Sequence, residues 1–437
     1  MQLLSRTYCS FNRLQIGKSM EPIPYSRPYI GKEEEDAVLA VLRSGWLTTG
    51  KETLAFEEDF STFLKEGSYN PDESVYCMAV NSATSGLHLA LESLGIKKGD
   101  IVLLPSMTFT ASAEVVRYLG ADIVFVDVSK GGYHMDPAAL EETIIRVQGS
   151  GFRGQGLGVD PDHSGVVRAV MPVHYGGYPR DIDAVLAIAE KYRLKVVEDA
   201  AHSFPSFVSD DDDPSRGRWA GNMSDAGVFS FYATKTITTG EGGMVVTRDK
   251  ALADRIRIMR SHGIDRSVWN RYTDSKASWY YEVLDPGFKY NIPDILSALG
   301  RVQLRRAREL LAIRQELSFM YDEAFGQSEH FFIPPTGKGD ARHLYPLRLN
   351  LENLSISRNE FAALLQEQGI GISVHFIPLH TMPYYKNRYS LKDSDFPETM
   401  KTFNRSISLP LWPGMTSAQI ERVITVVKSL AYKYNKV

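Results

Sequence analysis

Cysteine is scarce in this chain of 437 residues, which contains only Cys9 and Cys77. Disulfide frameworks and zinc sites both need several suitably spaced ligands or partners, and two distant cysteines supply neither. We therefore expect a reducing, cytoplasmic setting and no metal site.

The chain also lacks an excess of charge and a long apolar run. Its 49 basic and 53 acidic residues give a net charge of −4, so no overall basic field attracts nucleic acid. No apolar run approaches the roughly 20 residues of a membrane helix. The expected partners therefore include no nucleic acid, and no insertion into a membrane is expected.

Acidic residues are missing from residues 1–19, which carry Arg6, Arg13 and Lys18. A signal peptide would need a continuous apolar segment, which this stretch lacks. The interpretations that stay open are a transit-type leader, and an upstream start or disordered tail with Met20 as a natural beginning.

What the chain does contain is a regular alternation of short β-branched runs with helical patterns. This alternation predicts a mostly parallel sheet with helices on both faces. The predicted strands are residues 75–80, 101–104, 123–128, 166–173, 195–197, 228–231 and 244–247.

The pattern changes after about residue 300 and predicts a smaller α+β domain. A long charged helix is expected over residues 295–325, and strands over 343–349, 372–376 and 406–411. Capping boxes at Ser357 and Thr416 predict the starts of two helices. The expected organisation is a leader or tail (1–19), a large domain (20–295), and a connecting helix with a small C-terminal domain (296–437).

Three motifs follow predicted strands, where ligands of such sheets bind. Residues 81–86, Asn-Ser-Ala-Thr-Ser-Gly, begin a helix and suit either an anion site or an ordinary N-cap. Residues 196–202 end a buried strand with Asp199 and place His202 nearby. Asp199 could cap the next element, or keep a pyridine nitrogen protonated so that the ring accepts electrons.

The third motif ends with Lys235 and continues into the glycine-rich residues 238–243. Most lysines are solvated surface charges. In an apolar setting, however, desolvation lowers the pKa of a lysine and makes it nucleophilic. An anion cradle, an acid and a lysine at strand ends together predict a pyridoxal-phosphate (PLP) site.

The order of these motifs and their amino-acid sequences resemble the DegT/DnrJ/EryC1/StrS family of nucleotide-sugar aminotransferases, from about Ile23 to the last helix. Residues 105–109, 172–177 and 286–291 are most similar to its UDP-4-amino-4-deoxy-L-arabinose synthase branch. The resemblance implies an α/β fold-type-I PLP-dependent transferase. Such an enzyme has a large domain with a mostly parallel central sheet and helices on both faces, plus a smaller C-terminal α+β domain.

The resemblance also implies roles for individual residues. Lys235 matches the lysine that forms the Schiff base and moves the proton, and Asp199 matches the partner of the pyridinium nitrogen. His202 matches the residue at the phenolic oxygen. Phe109 matches the aromatic that stacks on the ring, although a core position is the alternative.

Further matches concern the cofactor phosphate and the substrate. Ala83 and Thr84 match the phosphate-binding turn and Ser230 a further phosphate contact. Asn291 matches a residue that reaches the phosphate across a dimer interface, with a plain turn residue as the alternative. The substrate-side matches are His375 and His380, but strand alternation could instead direct His375 into the core.

The resemblance implies transfer of an amino group from L-glutamate to a nucleotide-linked 4-keto sugar, by a homodimer with shared active sites. Lys235 stands where dehydrating relatives carry histidine. Four aspartates at 210–213, in an unusually long segment 208–218, would repel a nucleotide diphosphate if they approached the site. The alternatives are another keto sugar or a cyclitol as substrate, or a non-catalytic PLP-binding regulatory protein.

Overall fold

The computed structural model describes residues 21–148, 165–209, 216–265, 280–335, 337 and 339–436. The leader at 1–19 and the aspartates at 210–213 lie outside these residues. In the described part of the chain, no helix combines the length and apolar character needed to cross a bilayer.

Among the described residues, strands alternate with helices from residue 76 to residue 199, and five strands then follow one another between residues 195 and 247. The strands are β1 (Tyr76–Val80), β2 (Asp100–Pro105), β3 (Asp122–Val126), β4 (Val166–Val170), β5 (Lys195–Asp199), β6 (Phe207–Ser209), β7 (Gly217–Trp219), β8 (Ala226–Ser230), β9 (Gly243–Thr247), β10 (Phe331–Phe332), β11 (Tyr345–Leu349) and β12 (Ser406–Leu409). The helices are α1 (Lys32–Ser44), α2 (Lys51–Lys65), α3 (Ala83–Ser93), α4 (Thr110–Tyr118), α5 (Pro137–Gln148), α6 (Ile182–Lys191), α7 (Lys250–Met259), α8 (Asp294–Arg305), α9 (Ala307–Phe325), α10 (Arg358–Glu367), α11 (Pro383–Tyr389), α12 (Pro397–Phe403) and α13 (Ser417–Lys433).

A seven-stranded sheet organises the large domain, in the order β1-β9-β8-β5-β4-β2-β3. The strands from β8 to β3 run parallel to one another, whereas β9 is antiparallel to both its neighbours. Alternate side chains of each strand enter cores on opposite faces, as Met78 and Cys77 do in β1. The predicted α/β class and mostly parallel sheet are confirmed.

A three-stranded antiparallel sheet, β10-β11-β12, packs with α9, α10 and α13 around a separate core. Two segments cross between the cores. Ile23 joins the small-domain core, where it forms a parallel bridge with Ile370. Leu379, Tyr385 and Phe396 join the core of the large sheet. The predicted domain boundary at residue 295 therefore stays a proposal. To it we add that each domain contributes one segment to the core of the other.

Two predicted elements are wrong. The helix expected over 295–325 is two helices separated at Arg306, whose φ of −92° and ψ of 0° interrupt the repeat. Side chains of Gln303 and Arg306 both bind Glu34 of α1 there. The strand expected over 372–376 is a single bridge between Ser373 and Ser408. In both places contacts with distant segments decide the conformation, and local periodicity does not contain them.

Candidate active site

A cavity of about 470 Å³ opens at the carboxyl ends of the parallel strands, where open α/β sheets bind ligands. Eight of the ten predicted site residues line it. They are Ala83, Thr84, Phe109, Asp199, His202, Ser230, Lys235 and His375. The motifs are thus brought together from sequence positions more than 290 residues apart.

Lys235 lies in a turn just after β8, where its backbone N–H donates to the Tyr232 carbonyl at 2.9 Å. Burial lowers the pKa of Lys235 to about 7, Asp199 opposes this shift, and Arg314 adds to it. Close to neutral pH a large share of the lysine is therefore the neutral, nucleophilic amine.

Asp199 is the last residue of β5 and is 6% exposed. Its backbone is fixed on both sides, because its N–H donates to Pro172 and its carbonyl accepts from His174. Burial raises the pKa of its carboxyl group, whereas hydrogen bonds from Ser112 and the Ala201 N–H lower it. The carboxylate is thus held against a cavity large enough for a ring.

His202 has a tautomer that its neighbours determine. Its Nδ1 accepts the Gly176 N–H at 3.3 Å, so in the neutral ring Nε2 carries the proton. Burial, Lys235 and His375 keep the pKa of His202 well below its ordinary value. His202 is therefore a neutral hydrogen-bond donor in the cavity wall.

Phe109 precedes α4 and is 57% exposed, with its ring 5.9 Å from that of Phe376. The alternative of a core position does not describe this residue. An exposed aromatic face in a cavity suits stacking on a flat ligand.

The anion cradle is the start of α3. Ser82 caps this helix by accepting the Ser85 N–H at 3.1 Å. A side chain at Gly243 of β9 would place its Cβ 2.8 Å from the Ala83 nitrogen. Glycine is needed there for the strand to lie against the helix start, whose free N–H groups favour an anion.

His375 lines the cavity, and its Nδ1 is 2.8 Å from Ser408 Oγ. Burial first, and then Lys235, lowers its pKa to about 3. The imidazole is therefore neutral near pH 7. Its substrate role stays a prediction.

The two remaining predicted residues do not line this cavity. His380 is 0% exposed, bonds Ser106 Oγ through Nδ1 at 2.6 Å and stacks on Phe396. His380 therefore does not line this cavity, and its substrate role stays a prediction that this placement does not support. Asn291 donates through Nδ2 to Thr49 Oγ1 at 2.6 Å, and its expected contact across a dimer interface stays a prediction.

Several lining residues were missed from the sequence. Tyr25 arrives from the N-terminal segment, and His343 and Phe376 from the small domain. The ring of His343 lies 4.5 Å from that of His202. Phe376 directly follows the predicted His375. No local motif marks Tyr25 or His343, because they reach the cavity through packing of the two domains.

The residues present fit PLP. The cavity offers a lysine of lowered pKa, a buried carboxylate, an exposed aromatic face and a helix start, which respectively suit an aldehyde, a pyridine nitrogen, a ring and a phosphate. No group of three or more metal-ligating side chains occurs within the described ranges.

Comparison with known proteins agrees with this class of site. The model of the DegT/DnrJ/EryC1/StrS aminotransferase family matches residues 28–428, and the chain belongs to this family. The enzyme is therefore a PLP-dependent aminotransferase, of a family whose members include sugar aminotransferases.

Individual relatives cover nearly the whole chain. It is 39% identical over 412 residues to the spore coat polysaccharide biosynthesis protein SpsC of Bacillus subtilis, covering 93% of this chain and 97% of SpsC. The solved structure of a putative sugar aminotransferase, Spr1654 of Streptococcus pneumoniae, matches with a TM-score of 0.81 and 28% identity, over 94% and 99% of the two chains. The structure of PseC of Helicobacter pylori, an aminotransferase involved in pseudoaminic acid biosynthesis, matches with a TM-score of 0.80 and 26% identity. The match covers 95% of this chain and 100% of the PseC chain.

Proposed function

We propose that the enzyme transfers an amino group from L-glutamate to a nucleotide-linked 4-keto sugar. The observation that carries the proposal is the Lys235 amine, with a pKa of about 7, in one cavity with Asp199, His202 and Phe109. The relatives named for polysaccharide and pseudoaminic acid biosynthesis support a sugar substrate. We propose the cytoplasm as the compartment and a homodimer as the assembly.

In the proposed reaction glutamate gives up its amino group and leaves as 2-oxoglutarate, whose keto oxygen comes from water. The keto carbon of the sugar then receives the amino group, and its oxygen leaves as water. Bound PLP supplies an electron sink for the bond changes at the carbon that carries nitrogen. The neutral Lys235 amine accepts and returns the proton at that carbon. Asp199 would stabilise positive charge on the ring nitrogen of bound PLP, and the His202 Nε2–H would donate to its phenolic oxygen.

The other residues bind and orient. Free N–H groups at the start of α3, around Ala83 and Thr84, receive the phosphate, and Ser230 adds a hydroxyl at the cavity wall. Phe109 provides the apolar face beside the ring. On the small-domain side, His375 offers a neutral imidazole to the sugar.

The first measurement is the visible spectrum of the PLP-loaded protein before and after addition of L-glutamate. Loss of the yellow band of the lysine-bound cofactor, with gain of the pyridoxamine band, is the expected result. The loaded enzyme is then offered nucleotide-linked 4-keto sugars, 3-keto sugars and cyclitol ketones one at a time. A yellow protein unchanged by glutamate would exclude this donor, and return of the yellow band only with a cyclitol would exclude the sugar.

A further inference from the structure

Ser112 lies beside the candidate site but outside the cavity wall. It is the third residue of α4 and is fully buried. Its Oγ donates to Asp199 Oδ2 at 2.6 Å, across 87 positions of the sequence. A hydrogen bond to an ionised group is stronger than one between neutral groups, so this contact bears directly on the state of the carboxylate.

The direction of the next hydrogen bond follows from counting protons. Ser112 Oγ is also 2.7 Å from Thr108 Oγ1. A hydroxyl group has one proton, and that of Ser112 is given to Asp199. Thr108 must therefore donate to Ser112. Two consecutive hydrogen bonds thus run in one direction, from the Thr108 hydroxyl to the Ser112 hydroxyl and from there to the Asp199 carboxylate.

We propose that Ser112, oriented by Thr108, is a positioning residue that fixes the Asp199 carboxylate and holds it in its ionised, accepting form. This inference rests on the proposed role of Asp199 at the ring nitrogen. Thr108 also lines the cavity, so these two hydrogen bonds begin at a residue of the cavity wall and end at the Asp199 carboxylate.

The electrostatic balance at Asp199 supports this role. Burial favours the protonated acid, and the hydrogen bond from Ser112 is the first of the interactions that oppose burial. The other donor to the carboxylate, the Ala201 N–H, lies at a longer 3.2 Å. Removing the Ser112 hydroxyl therefore shifts the balance toward a protonated Asp199, which leaves less positive charge on the ring nitrogen.

The test compares Ser112→Ala, Thr108→Val and Thr108→Ser with the wild type. Each PLP-loaded protein is titrated for the dissociation constant of PLP and for the pH midpoint of the visible band. Ser112→Ala should weaken PLP binding about tenfold and raise the midpoint, because a less positive ring withdraws fewer electrons from the lysine nitrogen. Thr108→Val should move both values in the same direction by less, and Thr108→Ser should restore them.

Ser203→Ala is the matched control. Ser203 is also fully buried close to Asp199, but its hydroxyl donates to the Ala200 carbonyl at 3.1 Å rather than to the carboxylate. It should change the melting temperature without changing the PLP dissociation constant or the midpoint.

An unchanged dissociation constant and midpoint in folded Ser112→Ala would overturn the inference and leave Ser112 a packing residue. If Ser112→Ala does not fold, the inference is tested with Thr108→Val, and an unchanged PLP dissociation constant and pH midpoint in that variant would overturn it. Both readouts come before any sugar is added. Failure of the sugar assignment alone therefore leaves them intact, whereas a wild type without the yellow band refutes the proposed cofactor site itself.

Discussion

Glu198 and Asp199 are consecutive buried acids at the end of β5 with opposite surroundings. Glu198 accepts from His174 at 2.7 Å, from the N–H groups of Gly221 and Met223 at 2.8 Å each, and from Ser224 at 3.0 Å. Asp199 accepts from Ser112 and Ala201 and lines the cavity.

The pKa values shift in opposite directions as a result. Burial acts to raise both, but at Glu198 the hydrogen bonds and the charge of His174 prevail and the pKa is lowered. At Asp199 burial prevails and the pKa is raised. A strand sends successive side chains to opposite faces, so one acid is fully satisfied within the fold while the next keeps capacity for a ligand.

The largest expected effect sets the baseline for this comparison. Lys235→Ala removes the amine from the cavity that Asp199 also lines, so turnover should be abolished, while the Glu198 contacts stay unaffected. Steady-state amino transfer measures the loss of turnover, and thermal unfolding measures whether the Glu198 contacts still stabilise the fold. Turnover at the wild-type rate would refute the assignment of Lys235.

Glu198→Ala tests the structural side. It leaves His174 and two buried N–H groups without their acceptor, which should cost about 3–5 kcal/mol of unfolding free energy. Urea denaturation measures this loss. Glu198→Gln, which keeps one acceptor oxygen, should lose less, and the folded fraction of either variant should show the wild-type PLP band.

Asp199→Asn tests the functional side. The amide keeps the size and can still accept from Ser112, so the melting temperature of the PLP-free protein should not fall. The rate should decrease about 10²–10³-fold, because charge stabilisation at the reacting group is lost. A wild-type kcat/KM in this variant would contradict the functional role of Asp199, and with it the contrast between Asp199 and the structural acid Glu198.

The pH dependence of stability should have opposite signs at the two positions. Glu198 has a lowered pKa, so its contribution is present above the ordinary glutamate pKa and is lost as pH falls through the lowered value. Asp199 has a raised pKa, so its ionisation costs stability at neutral pH, and this cost disappears as pH falls below the ordinary aspartate pKa.

Unfolding free energies of the PLP-free wild type, Glu198→Gln and Asp199→Asn, measured across acidic to neutral pH, isolate these contributions. The advantage of wild type over Glu198→Gln should shrink toward low pH. The advantage of Asp199→Asn over wild type should also shrink toward low pH. Equal slopes for all three proteins would contradict the comparison.

The smallest effect is expected from Ser224→Ala. Its hydroxyl lies 3.0 Å from both the Glu198 carboxylate and the Ala226 carbonyl, so one proton serves two acceptors. The loss should be about 0.5–1.5 kcal/mol, with an unchanged PLP spectrum. A loss as large as that of Glu198→Ala would mean that Ser224 is the main partner of Glu198.

The sequence predicts those parts of the site that follow from a strand and its next few residues. Lys235, Asp199 and the start of α3 are of this kind, because parallel strands bring their carboxyl ends to one edge. Tyr25, Ser112 and His343 were not predicted, since their positions depend on packing between distant segments. His380 shows the converse: its motif was recognised, but tertiary packing buries it away from the cavity.

The exchange of segments between the two cores has a consequence for synthesis on the ribosome. Ile23 packs against a core completed by α13, and the roughly 400 residues synthesised between them take about 20–80 s at 5–20 residues per second. Throughout that interval the segment that carries Tyr25 to the cavity has no core to join. One wall of the candidate active site is therefore assembled last, from a segment that leaves the ribosome early.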